Sequence, residues 1–215
     1  MPLIRTSAAA LAALALSGAA FAAEPVRIQL FGDSTQYGYD GRTEGQVAHP
    51  PAAMLQQLMD ARFGAGRVLV TERAVPGSAS GQLLAGTDGR NRAWPKEVAA
   101  DIVVVNHALN DADAHVPLAR YARNLRRLHA TVFETPSPVT VPGWRWAPYA
   151  QAMRRVAAEQ HAPVADVARW MLAQPGWQSH LTDGVHPDDE TYGAIVREVL
   201  MPTLAPLVDK ALAGR

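Results

Sequence analysis

The chain of 215 residues has no cysteine. No disulfide can brace it, no thiol can serve as a nucleophile, and a zinc site would have to be built from histidine and carboxylate alone. An excess of either charge is also missing, because 20 Lys and Arg balance 20 Asp and Glu. Without a basic stripe or an acidic tail, a nucleic-acid partner is not expected. Internal repeats are absent as well, which points away from solenoids and propellers. What the chain does have is apolar material. Hydrophobic residues make up 48% of it, enough for a sizeable core in one domain of middling length.

The amino terminus reads separately from the rest. Met1–Arg5 is a short basic start, Ala8–Ala20 an apolar run, and Ala20-Phe21-Ala22 a small-x-small cleavage site. Together they predict a secretory signal over 1–22 with cleavage before Ala23. The run is too short and too rich in alanine to span a bilayer comfortably, so no stable membrane insertion is expected after cleavage. The expected mature chain, 23–215, is a single exported domain, periplasmic or secreted.

Short apolar runs then alternate with helical stripes. Strands are expected at Val26–Phe31, Arg67–Thr71, Asp101–His107, Thr131–Glu134 and Pro163–Val167. Helices are expected from Pro51 to about Arg62, after the small-residue stretch Ala74–Gly86, from Pro95-Lys96-Glu97, over Leu118–Leu128, within Trp144–Gln160, over Ala168–Ala173, and after Asp188. Strands of about five residues separated by helices call for a parallel sheet covered on both faces. The expected fold is a three-layer α/β/α sandwich, flavodoxin-like, with five strands in the order 2-1-3-4-5.

Four stretches carrying reactive side chains fall at strand ends or in long loops. They are Gly32-Asp33-Ser34-Thr35, Ala74-Val75-Pro76-Gly77-Ser78, Ala108-Leu109-Asn110-Asp111 and Asp183-Gly184-Val185-His186. A parallel sheet brings the carboxyl ends of its strands to one edge, so all four should meet in one crevice. Singly, each has a plain structural reading. Asp33-Ser34-Thr35 caps helices well, Asn-Asp is a common turn, and Asp-x-x-His is a loop hydrogen bond or half of a metal site. Together they match the needs of acyl transfer. Ser34 would be the nucleophile, His186 its base, and Asp183 the carboxylate that orients the imidazole. The backbone N–H groups of Ser34 and Gly77 and the amide of Asn110 would receive the oxyanion. Gly81 is the rival to Gly77. Asp111 and Asp113, a conceivable pair for glycoside cleavage, read as solvated side chains of a polar loop.

In these blocks the chain resembles the GDSL, or SGNH, hydrolases, a family of serine esterases and lipases, from Val26 to Leu212. The resemblance maps the hallmark residues to Ser34, Gly77, Asn110 and His186, with Asp183 completing a triad. It departs from the usual pattern in two places. Ala108 stands where the third block has Gly, and Glu72-Arg73-Ala74 precede Val75 where the second block often begins with Asn. Phe31-Gly32-Asp33-Ser34-Thr35 and Ala74-Val75-x-Gly77 are similar to rhamnogalacturonan acetylesterases. That implies removal of short acyl groups, acetyl above all, from a small-molecule or carbohydrate ester, with no metal or organic cofactor. An acyltransferase or a lipase or thioesterase of the same family is the alternative, and a non-catalytic carbohydrate-binding protein a more distant one. Asp33, Tyr37, Trp144 and Trp146 are the expected substrate contacts, the aromatic rings stacking on a sugar or lining an acyl pocket.

Overall fold

The alternating stretch after residue 25 forms the central strand β1, Val26–Phe31. Val26, Ile28 and Leu30 are fully buried against one helical layer, and Phe31 packs into the other. The structure, a computed structural model, describes residues 24–94 and 98–215. The expected signal over 1–22 and the expected helix start at Pro95-Lys96-Glu97 lie outside the described residues.

Four more strands complete the sheet: β2 (Val68–Glu72), β3 (Ile102–Val105), β4 (Val132–Glu134) and β5 (Val164–Ala165). All pairings are parallel, in the order β2-β1-β3-β4-β5, as expected from the alternation. Ile28 sits opposite both Val70 and Ile102, so β1 is flanked on each side and its carboxyl end opens at the middle of the sheet edge. All four residues of β3 are buried, as a run of β-branched residues covered on both faces should be.

Nine α-helices are described: α1 (Ser34–Tyr37), α2 (Pro51–Phe63), α3 (Ser80–Ala85), α4 (Leu109–Asp113), α5 (Leu118–Leu128), α6 (Trp146–Glu159), α7 (Val167–Leu172), α8 (Asp189–Ile195) and α9 (Met201–Ala213). Leu55 and Met59 of α2, Ile195 of α8 and Leu204 and Val208 of α9 form one core with Ile28, Leu30 and Val104. Leu83 of α3, Tyr121 and Leu125 of α5 and Met153 of α6 form the other with Phe31, Val103, Val105 and Phe133. Odd and even residues of β3 therefore serve opposite layers, the period-2 rule of a strand.

Three local expectations need correction. Strand β5 is two residues long because Asp166 already caps α7, accepting from the Arg169 amide and pairing with Arg154 at 2.7 Å. The loop after Tyr37 contains a two-strand antiparallel hairpin, Tyr39–Asp40 with Gly45–Gln46. Asn110 and Asp111 stand in a short helix, α4, an element absent from the expected set of strands and helices.

Candidate active site

Ser34 is placed by the residues before it. β1 runs into Gly32, where a Cβ would come within 2.4 Å of the Gln36 Cβ, so the turn leaves no room for a side chain. Asp33 has no exposed surface. Its Oδ1 accepts from the Thr35 amide at 3.0 Å and the Thr35 hydroxyl at 2.8 Å, capping α1. Asp33 thus sits beneath the site and does not face a substrate, contrary to expectation. Because α1 is a single turn closed by Gly38 in the left-handed conformation, its dipole contributes little at Ser34.

Across the crevice, the loop 181–187 is a closed unit. Leu181 bridges Pro187, and the Thr182 amide donates to the His186 carbonyl at 2.7 Å. The Asp183 Oδ1 accepts from the amides of Val185 and His186, both at 2.9 Å, while Oδ2 lies 2.7 Å from His186 Nδ1. His186 Nε2 in turn lies 2.8 Å from Ser34 Oγ. Burial pushes the Asp183 carboxyl up, but the hydrogen bonds from His186 and Val185 outweigh it and hold the group below its usual range. It therefore stays ionised in neutral solution. With Nδ1–H donated to that carboxylate, Nε2 presents its lone pair to the Ser34 hydroxyl. Such a chain can take a proton from Ser34 and return it to another oxygen. Asp183 and His186 are spent on each other, and among the described residues no group of three or more His, Asp or Glu could hold a metal ion.

The other two blocks face the same edge. Val75-Pro76-Gly77-Ser78 is a β-turn in which the Ser78 amide donates to the Val75 carbonyl at 3.1 Å. Proline in second place and Gly77 at φ 78° in third fit a type II turn, whose third N–H has no partner within the turn. Nothing lies within 4 Å of the position a Cβ would take at Gly77, so its outer face is open. The rival Gly81 is inside α3, facing Asn124. Asn110 is half-buried and donates one amide hydrogen to the Ser78 carbonyl at 3.0 Å, so the two blocks are tied together. Ala108 replaces glycine without strain, because its φ of −165° is open to any residue.

Several positioning contacts escaped the sequence reading. Gly41 packs against Asp183 so closely that a Cβ would lie 2.2 Å from Oδ2 and 2.5 Å from Cβ of that residue. The Tyr39 ring lies 4.7 Å, centre to centre, from the His186 ring. Ser78 is buried, its hydroxyl 3.0 Å from His107 Nε2 and 3.4 Å from the Gly32 carbonyl, so it links the second block to the first and third. Glycine spacing or a Ser-His pair 29 residues apart gives no signal for these contacts. Asp111 is not solvated: it is fully buried and accepts from the Ser80 amide and hydroxyl at 2.8 and 2.7 Å. Burial raises its carboxyl above the ordinary value. Asp113 alone is exposed.

Two groups of side chains lie next to the catalytic blocks. Leu109 and Val185, neighbours of Asn110 and His186 in the chain, are buried with Val139 in a small apolar core against which half-buried Val141, Trp144 and Trp146 pack. On the β2 side, Tyr37 and Tyr39 line a cleft of about 390 Å³. The expected aromatic contacts therefore divide between two separate surfaces.

Comparisons with known proteins agree with this architecture. The model of the GDSL-like lipase/acylhydrolase family matches residues 30–194. No curated protein matches the chain. Among solved structures, a lipase/acylhydrolase from Enterococcus faecalis is 25% identical with a TM-score of 0.66, covering 81% of this chain and 95% of that one. Axe2, an acetylxylan esterase from Geobacillus stearothermophilus, is 16% identical with a TM-score of 0.64 over 84% of this chain and 95% of its own. A carbohydrate acetylesterase family member from Sinorhizobium meliloti is likewise 16% identical at 0.64, over 86% and 99%. With that family model covering most of a chain already shown to carry its fold, this protein belongs to the GDSL-like lipase/acylhydrolase family and is an ester hydrolase.

Proposed function

We propose that the protein is an exported serine esterase that removes short acyl groups, acetyl foremost, from a carbohydrate or another small ester. The observation that carries this reading is the hydrogen-bonded chain Ser34 Oγ–His186 Nε2 at 2.8 Å and His186 Nδ1–Asp183 Oδ2 at 2.7 Å. Ser34 attacks the ester carbonyl while His186 takes its proton, and Asp183 fixes the tautomer and offsets the imidazolium charge. The N–H groups of Ser34 and Gly77 and the free amide hydrogen of Asn110 receive the oxyanion. Loss of one such donor costs roughly a hundredfold or more in rate. His186 then protonates the departing alcohol, and water, activated by the same imidazole, releases the acid from Ser34.

The acyl group is assigned to the apolar side of the site, where half-buried Val141, Trp144 and Trp146 pack against the buried cluster of Leu109, Val139 and Val185. The carbohydrate part of the reading draws on the structural likeness to an acetylxylan esterase and a carbohydrate acetylesterase. Export rests on the signal-like segment 1–22 and is tested by amino-terminal sequencing of protein recovered outside the cytoplasm, which should begin at Ala23.

Turnover of p-nitrophenyl esters from acetyl to octanoyl tests the chemistry. Hydrolysis should persist with a chelator present, fall with chain length, and drop by roughly a thousandfold or more in Ser34→Ala. Activity retained in that variant sinks the nucleophile assignment.

A further inference from the structure

We propose that the cleft between the 37–45 segment and the 74–90 segment is the subsite for the alcohol half of the ester, shaped for a polyhydroxylated alcohol such as a sugar. The proposal rests on the serine esterase reading and adds to it the direction in which the substrate lies. In that reaction the bond between the acyl carbon and the alcohol oxygen breaks, and that oxygen takes the proton held on His186 Nε2. The alcohol must therefore leave along a surface adjoining the His186 ring.

Tyr39 provides one, because its ring packs on that of His186 at 4.7 Å. From Tyr39 the cleft continues past Tyr37 and along Ala74, Val75 and Pro76, the residues leading into Gly77, to Asp88 and Arg90. Its volume of about 390 Å³ lies within the common range for small-molecule sites. Ser34, Asp183 and His186 line neither this cleft nor the two other large ones, one beside Glu24 and Arg215 and one between α3 and α5, but of the three this cleft alone is lined by Tyr39 and by residues of the 75–78 turn.

The lining chemistry separates the two halves of an ester. Two phenols, the carboxylates of Glu44 and Asp88 and the Arg90 guanidinium offer donors and acceptors to hydroxyl groups, and a tyrosine face suits the C–H face of a sugar ring. The apolar cluster of Leu109, Val139 and Val185, with Val141, Trp144 and Trp146 packed against it, has no carboxylate or guanidinium to offer an alcohol. The polar wall is also fixed before any ligand arrives, which lowers the ordering cost of binding. Arg90 is held by the Glu72 carboxylate at 3.0 and 3.1 Å and by the carbonyls of Glu72 and Ala74. Asp88 accepts from the amides of Arg90 and Asn91. The Tyr192 hydroxyl holds the Tyr39 carbonyl at 3.2 Å.

The test compares acetylated xylobiose with ethyl acetate, two acetyl esters that differ in the alcohol alone. The ratio of their kcat/KM values should fall by about tenfold or more in Tyr37→Ala and in Glu44→Ala. Glu44 lies in an exposed turn, so its variant reads the cleft even if the tyrosine variant does not fold. Unacetylated xylobiose should inhibit the wild type competitively, and each variant more weakly. A ratio within twofold of wild type in Glu44→Ala, a wild type that prefers ethyl acetate, or a change in preference between acetyl and butyryl esters would each overturn the assignment. Failure of the esterase reading looks different: Ser34→Ala would go on hydrolysing ethyl acetate.

Discussion

At the scale of single residues, the site depends on groups that never touch a substrate. Gly41 shows this most plainly. A methyl group there would fall 2.2 to 2.5 Å from three atoms of Asp183, and that carboxylate cannot swing aside because it holds two backbone amides and the imidazole. Overpacking of this kind costs about 1–3 kcal/mol. Gly41→Ala is therefore expected to displace Asp183 and lower kcat roughly tenfold or more with little change in KM, read from p-nitrophenyl acetate kinetics. Full kcat in the variant would mean that the 39–45 hairpin can retreat as a unit. Asp183→Asn probes the same chain by another route. The amide keeps the shape, but its NH₂ group now faces Nδ1, favouring the tautomer that carries the proton on Nε2, where it cannot accept from Ser34. A fall of about a thousandfold or more in kcat is expected, as triad chemistry elsewhere leads one to anticipate. A loss below tenfold would show that His186 is oriented by its backbone contacts alone.

At the scale of elements, the sequence was legible wherever one physical signal dominated. The alternation in Val26–Phe31, the unbroken β-branched run in β3 and Tyr121, Leu125 and Leu128 of α5 each report burial directly, though Leu118 of the same stripe is exposed, and the doubly wound pattern supplied the sheet order. Ser34, Asp183 and His186 were legible because turn chemistry at strand ends coincided with residues that acyl transfer requires. What lies between these elements was not legible. Asp111 looks solvated beside Asp113, yet it is buried because α3 begins at Ser80 and its first amide and hydroxyl need an acceptor. The Ser78–His107 bond depends on β1 separating β2 from β3, a long-range fact that no local pattern carries. Ser78→Ala removes a partner of a fully buried imidazole and should cost about 1–3 kcal/mol in urea unfolding. Because Ser78 also fixes the turn that presents Gly77, kcat should fall as well, while the preference between acetyl and butyryl esters should not move. Unchanged stability and kcat would show that the backbone bonds of Ser78 to the Asn110 amide and the Val75 carbonyl hold the turn without its hydroxyl.

At the scale of the whole molecule, the polar groups buried under Ser34 make stability depend on pH. Glu134 ends β4 with no exposure to solvent to speak of, one carboxyl oxygen unpaired, and Asn106 as its side-chain partner; Asn106 in turn meets Thr35 at 2.9 Å. Burial, reinforced by the nearby Asp33 charge, raises the Glu134 carboxyl from 4.5 to about 8, and the Tyr192 phenol also faces it. Between those two values the folded chain holds a proton that the unfolded chain has released, so stability falls as pH rises. His107 acts in the opposite sense. Burial outweighs the attraction of Asp33 and Asp88 and lowers its imidazole below 6.5, so the unfolded chain gains a proton first and stability falls as pH drops. Asp183, held below the usual carboxylate range, adds to the loss in acid. The slopes of Glu134 and His107 oppose each other below pH 6.5, whereas between 6.5 and 8 that of Glu134 is no longer countered. One proton across that window is worth about 2 kcal/mol. Urea unfolding at the two pH values should show a loss of this size in the wild type. In Glu134→Gln, which keeps the neutral shape, less than half of it should remain. An equal loss in both proteins would place the titrating group elsewhere, and the Glu134 side chain would then have to be ionised in the folded protein at neutral pH, with its unpaired oxygen reached by water.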